Sequence, residues 1–248
     1  MNQNSKAQNS CDKNLLKEMA AKAAVDALVK NNMKLGLGSG STAILAVRYV
    51  GELLKKETLQ NIKAVSTSFQ TTIECEKLGI PLFTLNSSEI NGSIDLTIDG
   101  ADEVDPKNRC IKGGGGALLL EKIIAYSSNK YAIIIDESKI VQNLGLAFPV
   151  PVEVIPEARL SVTMRLEDMG AEVKLREAVR KAGPVITDHG NLLLDILFKD
   201  IIDPVKFEME IKNIPGVVEN GFFTGPGFRP LRPVIFIARK DNQVEQRE

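Results

Sequence analysis

The chain has 248 residues, of which 44% are hydrophobic, so it can bury one large core or a main core with a smaller lobe. Its 31 basic and 32 acidic residues leave a formal net charge of -1, which argues against nucleic-acid binding and against attraction to an anionic membrane. Because the sequence shows neither a bilayer-spanning apolar run nor a secretory signal, and its three cysteines are unevenly spaced, we expect a soluble, cytoplasmic protein without disulfides or zinc.

The first part of the chain alternates helix and strand patterns. Apolar residues recur at three- and four-residue steps from Leu15 to Leu28, which predicts a helix. The predicted elements that follow are the strand MKLGLGS, the helix TAILAVRYVGELLKK, the strand IKAVSTS, the helix TTIECEKLG, the strands IPLFTL and IDLTID, the helix ALLLEKIIAYSS and the strand KYAIIIDESK. This alternation is typical of a Rossmann-like α/β domain with a mostly parallel sheet. Ligands of such sheets bind beyond the carboxyl ends of the strands, so we expect the turns 38–42, 99–105 and 112–116 to approach one crevice.

The second part of the chain follows a different pattern. A proline cluster at 148–156 predicts a domain crossing, and the runs after it read strand, helix, strand, strand, helix, strand, with a hairpin turn at 188–191. That order is typical of a ferredoxin-like α+β lobe. The apolar run PVIFIARK is predicted to return to the main sheet, before a polar tail, DNQVEQRE. We therefore predict a Rossmann-like domain at 1–147 and 222–248 and a smaller ferredoxin-like domain at 148–221.

A first candidate site is the glycine-rich turn LGLGSGSTA, between a predicted strand and a predicted helix. Such a turn presents backbone N–H groups at the positive end of the helix dipole, and Ser39, Ser41 and Thr42 add hydroxyl groups, which suits a phosphate. The glycine spacing does not match a dinucleotide fingerprint, and no lysine precedes the Ser-Thr pair as in a P-loop. A tight turn with a serine cap explains the motif about equally well.

A second candidate is the turn DGADEVD, in which Asp99 and Asp102 flank two small residues at the end of an apolar strand. Carboxylates at this position can bind sugar hydroxyls, move a proton or hold a divalent cation. The chain contains one histidine and no ligand set with metal spacing, so we predict no metal. A solvated acidic turn is the competing interpretation.

The third candidate is the run of four glycines from Gly113 to Gly116. Lys112 precedes it, and Glu121 follows it about one turn into a predicted helix. A structural turn rarely needs four glycines, whereas a backbone that passes close to a substrate benefits from them. Taken singly, Lys112 is better explained as a solvated surface amine, and Glu121 as a favourable acid in the first turns of a helix. His189 lies in TDHGN, where a hairpin turn explains it better than catalysis does.

Together these motifs resemble ribose-5-phosphate isomerase of the A type. The resemblance rests on seven segments in the family's order, namely GLGSGSTA, TIDGADEVD, IKGGGGAL with EKIIA, DESK, PVEVIP, TDHGN and IPGVVENGFF. It implies interconversion of ribose 5-phosphate and ribulose 5-phosphate in the pentose phosphate pathway, with a sugar phosphate as the binding partner and with no metal or organic cofactor. We also expect a homodimer or homotetramer.

The resemblance also implies roles for individual residues. Glu121 matches the catalytic base, and Lys112, Asp99 and Asp102 complete the expected catalytic set. The substrate-binding stretches match Ser39, Gly40, Ser41 and Thr42, then Asp99, Gly100, Ala101 and Asp102, then Lys112, Gly113, Gly114 and Gly115, together with Lys139 in DESK and Lys17 in the first helix. Of these, Ser39, Ser41, Thr42 and Lys139 are expected to bind the phosphate, and Lys17 is expected to contribute to phosphate binding. The match of Lys17 requires a one-residue gap before the glycine turn.

The chain departs from the family pattern in two places, and rival classes share its fold. Leu119 and Leu120 replace a more polar pair, and the segment 224–233 differs from the usual short link into the last strand. A sugar-phosphate-sensing repressor would need a DNA-binding module before its sensing domain. An amino-sugar phosphate deaminase would need a histidine in the main lobe, and a coenzyme A transferase would usually have a longer chain. A sugar-phosphate-binding protein without activity is the alternative of a different class.

Overall fold

The computed structural model describes residues 3–225 and 232–248, and for residues 3–13 it describes the backbone alone. The helices are α1 (Gln3–Leu28), α2 (Gly40–Lys55), α3 (Phe69–Leu78), α4 (Leu118–Tyr126), α5 (Arg159–Asp168) and α6 (Pro204–Lys212). The strands are β1 (Lys34–Leu37), β2 (Lys63–Ser66), β3 (Ile94–Asp99), β4 (Glu103–Val104), β5 (Cys110–Ile111), β6 (Ser128–Asp136), β7 (Val150–Val154), β8 (Ala171–Leu175), β9 (Leu192–Phe198), β10 (Val217–Asn220), β11 (Phe222–Phe223), β12 (Val234–Ala238) and β13 (Val244–Arg247). Short 3-10 helices span Glu137–Lys139 and Pro156–Ala158.

The described residues form two compact units. The first contains residues from 1–100, 124–139 and 231–248, and the second contains 101–123 and residues from 140–230. These divisions fall at other positions than the predicted domain boundaries, 1–147 with 222–248 and 148–221, which stay a prediction. Residues 226–231, within the atypical segment 224–233, lie outside the described part of the chain.

The first unit is built on a six-stranded sheet in the order β13-β12-β6-β3-β1-β2. All pairs are parallel except that of β12 with β13. Buried side chains of α1 and α2 pack with apolar residues of the central strands in one core. Because strands covered in this way are shielded from water, they read as continuous apolar runs, such as Ile133 to Ile135 in β6. The predicted mostly parallel α/β sheet is confirmed.

Two details of the first unit differ from the sequence prediction. The run IPLFTL at 80–85 forms a single bridge, between Leu82 and Ala64, rather than a strand. Pro81, which lacks an N–H group, interrupts the donors of that run. The polar tail at 241–248 contains β13, which pairs along β12 as an antiparallel edge strand. Polar residues suit a strand at the edge of a sheet. The strand was not predicted because strands are recognised in a sequence by alternating or continuous apolar residues, which this segment lacks.

The second unit contains a four-stranded antiparallel sheet in the order β10-β7-β9-β8. With α5 after β7 and α6 after β9, this arrangement is the predicted ferredoxin-like lobe, and it is confirmed. Val150, Val152 and Val154 of β7 bury their side chains in its core. The expected hairpin around 188–191 is reduced to one bridge, between Ile186 and Leu192, because β9 pairs mainly with β7 and β8.

A small three-stranded sheet, in the order β11-β5-β4, also belongs to the second unit. It matters for the site because β5 ends immediately before Lys112. The backbone N–H of Lys112 donates to the carbonyl of Gly221 at 2.9 Å, which continues the pairing of β5 with β11. The position of the lysine is therefore set by a paired backbone.

Local sequence signals explain several helix boundaries. Ser68 caps α3 by accepting a hydrogen bond from the N–H of Thr71, and Gly79 ends the helix with a φ of 67°. Asp203 caps α6, and Pro204 occupies its first turn. Because N–H groups in the first turn have no acceptor within the helix, a proline there costs no hydrogen bond. These caps place α3 directly after β2 and α6 after β9.

Candidate active site

The turn after β1 in the first unit brings the chain very close to Asp99, at the end of β3. A Cβ atom at Gly38 would lie 2.1 Å from Asp99 Oδ1, so only glycine fits there. The N–H of Ser39 donates to the same oxygen at 3.1 Å, and Gly40 begins α2 with a φ of 86°. Two of the predicted turns, after β1 and after β3, are therefore in direct contact.

The hydroxyl of Ser39 is held within a cluster of hydroxyl groups. It lies 2.6 Å from Thr67 Oγ1 and donates to Ser68 Oγ at 2.5 Å. Gln70, on α3, accepts the N–H of Gly40 at 3.0 Å. The sequence motif did not identify Thr67, Ser68 or Gln70. The nearest signal was that STSFQTT, which begins at the last residue of β2, is rich in hydroxyl groups.

Three of the remaining predicted phosphate ligands, Ser41, Thr42 and Lys17, lie at the start of α2 or contact it. Ser41 and Thr42 occupy its first turn, where backbone N–H groups have no partner within the helix. Lys17 of α1 donates from Nζ to Ser41 Oγ at 2.9 Å. Lys139 lies in the 3-10 helix that follows β6. Because β1, β3 and β6 are parallel neighbours, the segments that follow them lie at the same edge of the sheet.

Asp99 is fully buried at the end of β3. Its Oδ1 atom accepts hydrogen bonds from the N–H groups of Ser39 and Gly100, at 3.1 and 2.7 Å. Such donors stabilise the charged form of a carboxylate. The turn then continues into the second unit, to which Ala101 and Asp102 belong.

In the second unit, Lys112 and Glu121 form a buried ion pair. Lys112 Nζ lies 3.4 Å from Glu121 Oε2, and the two side chains are only 3% and 6% exposed. Glu121 is in the first turn of α4, as the sequence predicted. The Lys112 ammonium also lies 5.5 Å from the centre of the Phe223 ring, within range of a cation–π interaction. The competing interpretation of Lys112 as a solvated surface amine is therefore wrong, whereas Glu121 does lie in the first turn of a helix.

The four glycines form a tight turn between Lys112 and the helix that carries Glu121. Gly113 and Gly116 have φ values of 96° and 84°, and the N–H of Gly116 donates to the carbonyl of Gly113 at 2.9 Å. The N–H of Gly114 donates to Asp102 Oδ2 at 2.8 Å. A Cβ atom on Gly114 would lie 2.7 Å from Asp102 Oδ1, whereas around Gly115 the space is open. The glycines therefore serve the backbone geometry and the approach of Asp102.

Sequence reasoning missed Arg176, which lies next to the glycine loop. Its Nη1 atom donates to the carbonyls of Gly113 and Gly114, at 3.1 Å each. Its Nε atom donates to Asp195 Oδ2 at 2.8 Å, and Nη2 donates to the other carboxylate oxygen. No local motif marks Arg176, since it follows an ordinary alternating strand.

A second buried cation, Lys122, follows Glu121 on α4. Its ammonium lies 3.0 Å from Glu208 Oε1 and 2.9 Å from Glu219 Oε1. Burial raises the pKa of the Glu219 carboxyl, but the charge of Lys122 and the backbone N–H of Asn220 outweigh that effect and hold the pKa below its ordinary value of 4.5. This cluster fixes the start of α4 to the small lobe.

His189 lies exposed in the turn between residues 187 and 191. Its backbone N–H donates to Thr187 Oγ1 at 3.3 Å, and the N–H of Asn191 donates to the same oxygen at 3.1 Å. A turn residue is the interpretation that the sequence favoured.

Residues 3–225 and 232–248, as far as their side chains are described, contain no group of three or more His, Cys, Asp or Glu residues that could hold a metal ion. Within the same described part of the chain, no helix combines the length and the apolar character needed to cross a bilayer. Whether the three turns converge on one crevice stays a prediction.

The fold and these residues define a class of protein. A buried carboxylate paired with an ammonium, a glycine loop with oriented N–H groups and a glycine-rich helix start are typical of enzymes that move protons on phosphorylated substrates. The family model for ribose 5-phosphate isomerase A (phosphoriboisomerase A) matches residues 63–235. The chain belongs to this family.

Individual relatives agree with this assignment over nearly the whole chain. Ribose-5-phosphate isomerase A of Treponema denticola is 51% identical over 241 residues, which cover 94% of this chain and 99% of the relative. The structure of ribose 5-phosphate isomerase A from Methanocaldococcus jannaschii is 42% identical with a TM-score of 0.85, and the match covers 94% of this chain and 98% of that one. A D-ribose-5-phosphate isomerase in complex with phospho-erythronic acid is 38% identical with a TM-score of 0.87, and the match covers 94% of this chain and 97% of that one.

Proposed function

We propose that the chain interconverts D-ribose 5-phosphate and D-ribulose 5-phosphate, a step in the non-oxidative branch of the pentose phosphate pathway. The observation that carries this proposal is the buried pair of Lys112 and Glu121, 3.4 Å apart, beside the glycine loop. Membership of the ribose 5-phosphate isomerase A family supports the same reaction.

Glu121 is the proposed proton carrier. Moving the carbonyl between carbon 1 and carbon 2 requires that a weakly acidic proton leave one carbon and a proton return to its neighbour. One carboxylate can serve both carbons, since they are adjacent in the substrate. Burial keeps bulk water away from the carboxylate, so that the proton it carries returns to the sugar.

Lys112 and the glycine loop are the proposed stabilisers of the enediolate intermediate, whose oxygens carry negative charge. The pairing of β5 with β11 holds the backbone of Lys112, and its ammonium is buried beside Glu121 and the Phe223 ring, so little reorganisation is needed during the reaction. In comparable sites, removal of one such donor costs about 3 to 4 kcal/mol of transition-state stabilisation.

Asp99 and Asp102 are proposed to bind the sugar hydroxyls and to assist opening of the furanose ring. Each carboxylate is oriented by backbone donors, Asp99 by Ser39 and Gly100 and Asp102 by Gly114. A carboxylate held in this way presents its remaining lone pairs in a fixed direction.

The proposed phosphate ligands are the start of α2 and the cations associated with it. Backbone N–H groups in the first turn, the hydroxyls of Ser41 and Thr42, and Lys17 provide donors and positive charge. Lys139 is included because it follows β6 at the same edge of the sheet. The Ser39 hydroxyl, which is engaged with Thr67 and Ser68, contributes chiefly by holding the turn.

The ligand of one relative fits this chemistry. Phospho-erythronic acid, present in the structure of a relative that is 38% identical, is a phosphorylated four-carbon sugar acid. Its carboxylate resembles the two oxygens of an enediolate, and its phosphate resembles that of ribose 5-phosphate. A site that binds both groups would favour the intermediate of the isomerisation over the substrate.

The test is an assay of the purified chain on ribose 5-phosphate, with and without a chelator, beside Glu121→Gln. The wild type is expected to turn over equally in both conditions, and Glu121→Gln to lose kcat by roughly two orders of magnitude or more. Glu157→Gln, at an exposed position in the second unit, is the matched control. Full activity of Glu121→Gln would remove its assigned role, and binding without turnover in the wild type would favour a non-catalytic sugar-phosphate-binding protein.

We further propose that the chain acts in the cytoplasm as a homodimer or homotetramer. Light scattering of the purified chain, combined with fractionation of the source cells, tests both parts. A monomer at working concentration, or recovery outside the cytoplasmic fraction, would contradict the corresponding part.

A further inference from the structure

Arg176 connects a carboxylate to two consecutive carbonyls of the glycine loop. Asp195 binds the guanidinium at two of its nitrogens, and Nη1, the third, donates to the carbonyls of Gly113 and Gly114. A guanidinium is planar, and the bidentate contact with Asp195 fixes its plane. The two carbonyls are therefore directed toward Nη1 of Arg176, whose position is set by Asp195 and not by the loop.

The direction of a carbonyl determines the direction of the next N–H group. All described peptide bonds are trans, and in a planar trans peptide the C=O and the following N–H point to opposite sides. With the Gly113 carbonyl on Arg176, the N–H of Gly114 points away from the arginine, where it donates to Asp102 Oδ2. The Gly113–Gly114 peptide therefore has the expected orientation, with its carbonyl toward Arg176 and its N–H away from it.

The Gly114–Gly115 peptide has the same orientation, but its N–H does not meet a carboxylate as that of Gly114 does. With the Gly114 carbonyl on Arg176, the N–H of Gly115 also points away from the arginine. Within the described part of the chain, no acceptor for this N–H is found, and Gly115 is exposed with open space around it. An N–H that is fixed in direction and open to a ligand is the arrangement required of an oxyanion donor.

We propose that Arg176 is a positioning residue that orients the Gly114–Gly115 peptide, so that the Gly115 N–H donates to an enediolate oxygen of the substrate. This proposal rests on the isomerase function proposed above. A run of four glycines has access to many backbone conformations, and without an external anchor the N–H would point in the required direction only part of the time. Arg176, itself held by Asp195, removes that freedom and does not touch the substrate.

The test compares Arg176→Ala and Arg176→Lys with Arg165→Ala, an exposed arginine on α5 whose partner is Asp168. Because the intermediate carries more charge than the substrate, loss of orientation should lower kcat by roughly ten- to a hundredfold, while KM for ribose 5-phosphate changes less than about threefold. Affinity for phospho-erythronic acid should fall in parallel with kcat, whereas inhibition by inorganic phosphate should not change. Arg165→Ala should match the wild type.

Chemical rescue separates positioning from general stability. Ethylguanidinium added to Arg176→Ala should restore kcat at least severalfold at an unchanged Tm, because the added ion replaces the missing group between Asp195 and the carbonyls. If Arg176→Ala does not fold, Arg176→Lys carries the test. Its ammonium keeps the charge beside Asp195 but lacks the fork geometry that holds the carbonyls, so the loss of kcat should remain.

Two results would overturn the proposal. One is a kcat within about threefold of wild type in the folded Arg176 variants, since a misoriented oxyanion donor costs far more than this. The other is a loss of kcat that is matched by an equal loss of phosphate and substrate affinity and is not rescued, which indicates a structural role. Neither result bears on the isomerase function, which fails only if the wild type binds the sugar phosphate without turning it over.

Discussion

The ammonium of Lys112 and the carboxylate of Glu121 lie 3.4 Å apart, and both are almost completely shielded from water. Each charge compensates the desolvation of the other, so removal of one leaves the second buried beside fewer opposite charges. The pair is therefore needed for stability as well as for the proposed chemistry.

Lys112→Met should lower both kcat and stability. Breaking a buried ion pair typically costs about 3 to 5 kcal/mol, and loss of the electrophile should lower kcat roughly a hundred- to a thousandfold. Urea unfolding and an isomerase assay measure the two effects. Lys107→Met, at an exposed position in the same unit, is the control. An unchanged kcat in Lys112→Met would exclude Lys112 from the chemistry.

Gly114→Ala should damage turnover more than phosphate binding. Its Cβ atom would lie 2.7 Å from Asp102 Oδ1 and 2.9 Å from Phe148 Cζ, so the loop and Asp102 must move apart. We expect kcat to fall, with the inhibition constant of inorganic phosphate retained. For stability the comparison is Gly115→Ala, whose Cβ atom meets open space and whose Tm should equal that of the wild type. Equal Tm values for the two variants would contradict the predicted clash.

Lys17→Ala should weaken the binding of the phosphate group. Because Lys17 donates to Ser41 at the start of α2, its loss removes a positive charge and an anchor of that turn. We expect KM for ribose 5-phosphate to rise roughly three- to tenfold with kcat nearly unchanged. Lys22→Ala, in the same helix and paired with Glu18, is the control and should show neither change. A loss of kcat at constant KM would contradict the assignment.

Lys122→Met should destabilise the second unit strongly. It leaves the buried carboxylate of Glu208 and the largely buried carboxylate of Glu219 without this cation, at a cost of about 3 to 5 kcal/mol. The lowered pKa of Glu219 contributes stability that is present above pH 4.5 and is lost as the pH falls below that value. Urea unfolding across this range should show a smaller acid dependence in the variant.

The control for Lys122 is Lys174→Met, which removes an exposed partner of Glu172. Exposed ion pairs are screened by water and contribute little, so the midpoint should remain close to that of the wild type. A similar loss of stability in both variants would show that the burial of Lys122 is not the cause.

Cys75 should resist thiol reagents in the folded protein. Burial raises the pKa of the Cys75 thiol to about 12 from 9.0, with further contributions from Glu74 and Glu76, so little thiolate exists near neutral pH. In a Cys11→Ser/Cys110→Ser variant, we expect no labelling of the native state at pH 8 and one equivalent after unfolding in guanidinium. Rapid labelling of the native state would contradict this.

The same thiol predicts a dependence of stability on alkaline pH. A folded-state pKa raised above the unfolded value means that the free energy of unfolding falls as the pH rises from 9.0 to about 12. Replacement of Cys75 by alanine should reduce that slope, as measured by urea unfolding at several pH values. An equal slope in both proteins would assign the effect to other groups.

Sequence patterns predicted the parts of the fold that are fixed by local periodicity. The continuous apolar run Ile133 to Ile135 indicated a buried parallel strand, and the order of elements after the proline cluster indicated the ferredoxin-like lobe. Edge elements were harder, since IPLFTL is apolar but forms one bridge, and the polar end of the chain forms β13. Hydrogen bonding to a neighbouring strand, which no local pattern records, decides these cases.

For the site, sequence reasoning identified residues that occur within recognisable turns. Lys112 and Glu121 were singled out, but their pairing and burial depend on how β5, β11 and α4 come together. Arg176 lies 63 residues from Gly113 along the chain, and nothing in its surroundings signals the contact. Distant partners of backbone groups are the class of functional residue that single-sequence reasoning leaves out.

The antiparallel strand β13 forms the edge of the six-stranded sheet and covers β12, an arrangement expected to prevent non-specific edge-to-edge pairing. The strand that it covers, β12, is almost entirely apolar, and without a neighbour its open backbone groups would offer a template for pairing with other chains. Three of the four residues of β13 are Glu245, Gln246 and Arg247, which discourage further strands from adding outside it. A stretch that looks like a dispensable tail thus guards against aggregation, and shortening it should reduce the solubility of the protein before it affects the chemistry.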